Sequence, residues 1–518
     1  MLPVSLQPLL NPAAYDHPAE PIQLIQTHIS WVILAGDYAY KIKRPVRFGF
    51  LDYSTLAKRR FMCEREVELN RRTCPHAYLG VVPIISDNGS ARVGGVGPVI
   101  EYAVKMRRLL PDGWLSTRVE SGEASAELLR RVAGAVYNFH SAAAAGDAIA
   151  RYGSATEVGA IWRENLDELR PFEGDTLTSG QLHDLTAFGD KFLMSNAQLI
   201  DERASSGHVR DIHGDLRSDS IYIEPEGGIC MCDCIEFSDR LRCGDVAGDV
   251  AFLAMDLDVR GRRDLSDEFA GAYTRLAADD ETLPYMLPFY RCYRAAVRGK
   301  VESITARDPD IGEEQRFAAR QRAARYFELS DQYATDRPSR ALVVVGGLSG
   351  SGKSYLAAAL SSRLGAALVR TDALRRGAID GPTGDPRRST YGAPERARIY
   401  ETLRDHARLH LEAGRLVVLD ATHIDRRERD AARELAAECA ADVFLVWVNA
   451  DESVIRSRLA ARTPAGDDMS DARWDTYLAQ QRSLEPLGDD ERAACVAVDG
   501  GDTATNNIGA IIDRWSRS

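Results

Sequence analysis

The sequence predicts two mixed folds in series. An α+β region spans residues 1–330, with a small sheet-rich lobe (about 1–105) and a larger helical lobe (about 106–330). An α/β domain built on a parallel sheet spans 341–518. Three observations predict this. Short alternating apolar runs broken by turn residues fill the first hundred positions. Helical spacing of apolar residues dominates from Ala126 onward. From Ala341, apolar strand patterns alternate with helical ones. Residues 331–340 (DQYATDRPSR) are polar, carry Pro338 and lack periodicity, and so read as a linker.

In the first region, SWVIL and YAYKIK flank the turn Ala35-Gly36-Asp37 and read as a hairpin. Phe61–Arg72 reads as a helix and Pro98–Leu109 as a strand. Ala126–Ala142 places Leu128, Leu129, Val132, Val136 and Phe139 at helical spacing, with His140 as a packed core residue. The stretch IYIEPEGGICMCDC reads as a second hairpin. In it Cys230, Cys232 and Cys234 alternate to one strand face and Asp233 to the other. Residues two apart on a straight strand converge poorly on a metal, so these cysteines read as core side chains. Arg294, Arg298 and Lys300 form a basic helical stripe, open to either an anionic substrate or acidic neighbours.

Composition narrows the function classes. The net charge of −12 argues against a nucleic-acid partner. No run approaches the ~20 apolar residues of a membrane span, and the N-terminus lacks the basic start and apolar core of a secretory signal. A cytoplasmic location is therefore expected, with the nine cysteines as reduced thiols. Oligomeric state is not encoded in any motif. Only seven of the 65 basic residues are lysines (41, 43, 58, 105, 191, 300, 353), which draws attention to each, since an ammonium and a guanidinium are not interchangeable.

The most specific motif is Gly347-Leu348-Ser349-Gly350-Ser351-Gly352-Lys353-Ser354, which fits G-x-x-x-x-G-K-[ST] without gaps. It lies between the apolar strand Leu342–Val345 and a helix with Leu356, Leu360 and Leu364 four apart. Glycines turn backbone N–H groups onto phosphates, and a helix N-terminus adds partial positive charge. Lys353 supplies a point charge to the outer phosphates, and Ser354 a hydroxyl for Mg²⁺. Asp372, in Arg370-Thr371-Asp372, falls near the C-terminal edge of a strand, where a carboxylate can take a proton from an attacking hydroxyl; it can also cap a helix. Leu416–Asp420 is an apolar strand ending in a carboxylate that can hold Mg²⁺. Arg456, Arg458 and Arg462 precede a polar loop and suit either a cationic lid over phosphates or a solvated arginine face. This region, on GLSGSGKS, RTD, LDAT and RSRLAAR…SDA, resembles small P-loop kinases of the gluconate kinase, zeta toxin and polynucleotide kinase group. The resemblance implies phosphoryl transfer from ATP to a hydroxyl of a small molecule or of a nucleic-acid end.

In the first region, His213-Gly214-Asp215-Leu216 is followed 18 residues after Asp215 by Asp233, across the hairpin. With KIKRPVRFGFLDYST, HGDLR, DCIEF and YRAAVRGK, this resembles the aminoglycoside phosphotransferase and choline kinase superfamily. It resembles most closely a bacterial family that joins such a domain to a P-loop kinase. The implied fold is a bilobal, protein-kinase-like (aminoglycoside phosphotransferase-like) domain followed by a P-loop NTPase domain. The implied roles are Asp215 as base, Asp233 as metal ligand, and Lys41 or its neighbour Lys43 on ATP phosphates, with Glu66 (or Glu64) as the lysine's partner. Ser220 stands where that signature has an Asn metal ligand, and a hydroxyl is the weaker ligand. The expected activity is ATP- and Mg²⁺-dependent phosphotransfer to a small-molecule hydroxyl. The alternatives are an N-terminal nucleotide sensor regulating the P-loop kinase, and a nucleic-acid end kinase or ATPase.

Overall fold

The computed structural model describes residues 2–48, 51–87, 90–335, 340–380, 393–461 and 474–515. Two compact units form. The first comprises 1–124, 138–158 and 197–249, and the second 125–137, 159–196 and 250–518.

The first unit is organised by a six-stranded antiparallel sheet. Its spatial order is Ile22–Gln26, Ser30–Ala35, Tyr38–Lys43, Val99–Arg107, Tyr78–Asp87, Ser90–Val93. The expected hairpin forms at Gly36, whose φ of +58° is left-handed; a Cβ there would sit 2.2 Å from the carbonyl oxygen of Pro18, so only glycine fits. Register pairs Lys41 with Val32 and Lys43 with Ser30. One face packs on the N-terminal turns through Leu6, Tyr15, Trp31, Ile33 and Ile42. The helix expected at Phe61–Arg72 runs Leu56–Asn70, because the Thr55 hydroxyl accepts from Lys58 N and fixes an earlier start. The second hairpin forms from Ile221–Ile223 and Ile229–Met231. The chain leaves the strand geometry after Met231, and Asp233 takes φ +64°. The alternation expected through Cys234 therefore ends early. Cys234 sits against Arg72 and the Ile212 carbonyl, away from Cys230 and Cys232. The cysteines are not all reduced either: Cys74 and Cys230 are joined by a disulfide.

The second unit contains a five-stranded, wholly parallel sheet, ordered Ala367–Arg370, Val417–Asp420, Ala341–Gly346, Asp442–Asn449, Cys495–Asp499. A parallel sheet must be covered on both faces. Leu356, Leu360, Ile508 and Ile511 cover one face, and Leu403, Leu411, Leu435 and Ala436 the other. The phosphate-loop strand is central, and Asp420 lies beside Val345 at its C-terminal end.

Helices from 250–335 pack into this same unit. The helix Arg263–Leu276 lies against Lys353–Leu364, the helix that follows the phosphate loop. At Gly271 a Cβ would approach Ala359 Cα to 3.0 Å. Around this close contact Glu268 accepts from Tyr355 and Arg130, Thr274 meets Ser362 at 2.9 Å, and Asp267 pairs with Arg363 at 3.5 Å. Further along, the Glu281 carbonyl accepts from Leu368 N at 3.0 Å, and its carboxylate holds His406 and His410 at 2.9 and 3.0 Å. The basic stripe is answered by acids and rings: Lys300 pairs with Glu168, Arg298 with Glu302, and Arg294 lies over Phe252. Among the described residues, no helix is long and apolar enough to cross a membrane.

Candidate active site

Each unit carries one cluster of the residues singled out by sequence. In the second unit, Gly347, Gly350 and Gly352 all have positive φ. A Cβ at Gly350 would meet Ile455 Cγ2 at 2.9 Å and Leu459 Cγ at 3.1 Å, which explains the small residue there. Leu348 packs against Ile455 and Leu459, while Ser349 and Ser351 are buried in the loop. Lys353 and Ser354 open the helix Lys353–Leu364. The Ser354 hydroxyl donates to Asp420 Oδ1 at 3.1 Å, so the two expected metal-holding residues meet. Asp420 is buried and also accepts from Arg370 Nε at 3.2 Å. Lys353 has no side-chain partner among the described residues.

The remaining predicted residues are placed differently from one another. The strand before Asp372 ends at Arg370, and Asp372 lies in the first turn of the helix Thr371–Asp380. Arg375 donates to its Oδ1 at 2.6 Å, leaving Oδ2 outside that pair. Arg458 donates to the carbonyls of Gly350, Ser351 and Gly500, bracing the loop from behind. Arg456 lies over the Trp474 ring at 4.8 Å. Arg462 falls outside the described residues. Gln480, which no sequence pattern signals, accepts from Ser349 N at 2.8 Å.

In the first unit, Glu66 is fully buried and bridges both candidate lysines: Oε1 accepts from Lys41 at 2.8 Å and Oε2 from Lys43 at 2.7 Å. The two lysines then diverge. Lys41 reaches Asp233 Oδ1 at 2.5 Å, while Lys43 is buried against Glu236, whose Oε1 also accepts from Tyr53 OH at 2.6 Å. Burial pulls the pKa of Lys41 down, but Asp233 and Glu66 outweigh it and hold the ammonium charged well above its usual range. For Glu66, burial pushes up while Lys41 and Lys43 pull down, and the net is lowered. Asp215 is bracketed by Arg217, with Nε on Oδ1 at 3.2 Å and NH2 on Oδ2 at 3.3 Å. The loop is fixed by Asp249, which accepts from the backbone N–H of His213 and Gly214 at 2.7 and 3.0 Å. Asp249 was not singled out by sequence; an acid inside the apolar run from Val246 is the signal that marks it. The Ser220 hydroxyl donates to the Arg217 carbonyl at 2.8 Å and accepts from Arg217 N at 3.0 Å, so it caps its own turn.

Residues 342–487 match the family described as AAA domain. Over 471 residues the chain is 33% identical to the uncharacterized protein Rv2004c of Mycobacterium tuberculosis, covering 88% of this chain and 91% of that one. The uncharacterized protein Mb2027c of Mycobacterium bovis matches to the same extent, 33% over 471 residues. The chain belongs to the family of these mycobacterial proteins. Members therefore share both regions, since the match spans nearly the full length of each chain. Among solved structures, a gluconokinase from Sinorhizobium meliloti is 26% identical with a TM-score of 0.25, covering 35% of this chain and 94% of its own. A choline/ethanolamine kinase family protein from Mesorhizobium loti is 13% identical with a TM-score of 0.36, covering 61% of this chain and 94% of its own.

One further residue stands beside the phosphate loop. His423 is buried, has φ +48°, and neither ring nitrogen has a hydrogen-bond partner among the described residues. Burial, with Arg429 adding to it, pushes its pKa down to about 3. An unfolded histidine titrates near ~6.5, so the folded chain binds fewer protons between these values and stability rises with pH across that window. Acidification below about pH 6.5 is therefore expected to cost roughly 1.4 kcal/mol per pH unit from this residue. Thermal unfolding followed from pH 6.5 to 4.5 should fall less steeply for His423→Gln than for the parent chain. Equal slopes would show that His423 does not set this dependence.

Proposed function

We propose that the chain is an ATP-dependent phosphotransferase that moves the γ-phosphate of ATP to a hydroxyl of a small molecule, with the C-terminal site as its main engine. The observation that carries this reading is the Ser354–Asp420 contact at the foot of a glycine-lined loop, beside Lys353, which has no side-chain partner among the described residues. The donor set suits both groups: two hard oxygens for Mg²⁺, and a cation with a helix N-terminus for a phosphate tail. Bound there, ATP supplies the phosphoryl group and Mg²⁺ neutralises its charge. Ser354 and Asp420 would hold the metal. Loop N–H groups and Lys353 would grip the phosphates. Asp372, steadied by Arg375 on Oδ1, would accept the acceptor's proton at Oδ2.

A second reading applies to the first unit. Lys41, Glu66 and Asp233 make a nucleotide site there, but the Ser220 hydroxyl is spent on its own turn and Arg217 brackets Asp215. These features favour a nucleotide sensor over a second engine. A cytoplasmic setting fits either reading.

The test is a metabolite-pool screen with purified protein and γ-labelled ATP, repeated with Asp372→Asn and Asp215→Asn. Label is expected on a small alcohol, lost in Asp372→Asn and kept in Asp215→Asn. Label released only as free phosphate, or carried on oligonucleotide ends, would overturn the small-molecule assignment.

A further inference from the structure

Outside both sites, three cysteine sulfurs meet in the core of the first unit. Cys74 follows the helix Leu56–Asn70, Cys230 lies on the strand Ile229–Met231, and Cys232 comes just after it. Their Sγ atoms all lie within 4.8 Å of one another, and Cys232 Sγ is 3.6 Å from Cys74 Sγ. All three are buried, among Val67, Ala77, Tyr78, Val104 and Tyr222.

We propose that, once the Cys74–Cys230 bond is reduced, Cys74, Cys230 and Cys232 together bind one Cu(I) ion. The donors are all soft sulfur, which selects soft cations and rejects Mg²⁺ or Ca²⁺. They number three, in an apolar shell. Structural zinc sites take four protein ligands, so the count favours a three-coordinate soft ion over Zn²⁺. Metal–sulfur bonds of about 2.3 Å place trigonal ligands ~4 Å apart; Cys232 already lies 3.6 Å from Cys74, and breaking the Cys74–Cys230 bond frees those two sulfurs to part toward the same spacing. Convergence is possible because the chain leaves the strand after Met231, so Cys230 and Cys232 meet a third sulfur from another segment.

The disulfide is the oxidised alternative of the same cluster. Its reduction takes two electrons and two protons from a dithiol, which itself becomes a disulfide. Cu(I) then displaces the thiol protons as Cu–S bonds form, and the copper keeps its oxidation state. The ion would link Cys74, just beyond the Glu66 helix, to Cys232, which precedes Asp233 and whose carbonyl meets His213 Nε2 at 2.9 Å.

The test uses full-length protein, reduced under anaerobic conditions and titrated with Cu(I) against a chromogenic Cu(I) chelator. One Cu(I) per chain is expected, with ultraviolet thiolate-to-copper absorption, and none before reduction. X-ray absorption of the loaded parent protein should show three sulfur neighbours. Cys232→Ser and Cys74→Ser should each weaken binding at least ~100-fold, with metal-free unfolding of Cys232→Ser checked against the parent, whereas Cys234→Ser should bind as the parent does. Absence of binding by the reduced parent, preference for Zn²⁺ over Cu(I), unchanged binding by Cys232→Ser, or a coordination shell without three sulfurs would each overturn the proposal.

Discussion

Replacing Lys353 by Ala, in a chain whose first site is silenced by Asp215→Ala, is expected to reduce ATP turnover by about 10²–10³-fold. Removing one preorganised charge that acts on a developing anion typically has an effect of this size. The loss should be chemical and not structural, because Lys353 has no side-chain partner among the described residues and its removal strands no buried group. Circular dichroism and thermal unfolding without nucleotide should therefore match the parent. Lys353→Arg should fail nearly as badly, since a planar guanidinium does not reproduce a compact ammonium at the start of the helix. Steady-state ATPase or kinase assays decide the matter; unchanged turnover by Lys353→Ala would remove the phosphate loop from the reaction.

Glu66→Ala is expected to have the largest effect on stability. Glu66 faces Lys41 with one oxygen and Lys43 with the other, and Lys43 is fully buried. Taking Glu66 away strips one charge-assisted hydrogen bond from each lysine, at a cost of about 1.5–3 kcal/mol per bond. Glu236 and Asp233 remain, so the lysines stay charged but lose their common bridge. The first unit should unfold at a lower denaturant concentration than in the parent, read by a tryptophan signal from Trp31 or Trp114. Glu66→Gln, which preserves shape and some hydrogen bonding, should recover part of the loss. If Glu66→Ala unfolds with the parent chain, the network does not hold this lobe together.

Much of the C-terminal cluster was legible because its chemistry is written contiguously. Eight consecutive residues specify the loop, and the apolar run ending at Asp420 places the second residue expected to hold a metal beside it. Lys41, Glu66 and Asp233 were reachable through local motifs, although only the fold shows that Lys41 pairs with Asp233 and Lys43 with Glu236. The residues that sequence reading missed act across long separations. Asp249 holds the His213 turn from a different helix, Gln480 reaches Ser349 from 131 positions away, and Glu236 sits inside a quoted motif yet faces Lys43. No periodicity encodes such meetings. The cysteine run shows the converse error. Its alternation assumed a straight strand through Cys234, and the turn at Asp233 sent Cys234 elsewhere while Cys74 arrived from outside the window.

The close approach at Gly271 has a practical bearing on how such proteins can be taken apart. The helix that follows the glycine-lined loop leans on a neighbour encoded some eighty residues earlier, ahead of the polar stretch a biochemist would choose for scissors. A piece starting at Ala341 would carry a bare, partly greasy flank where Ala359 and Ser362 had been sheltered. A dissection that begins upstream of Arg263 keeps that shelter, and it is the one to try first when the parallel-sheet domain is wanted by itself.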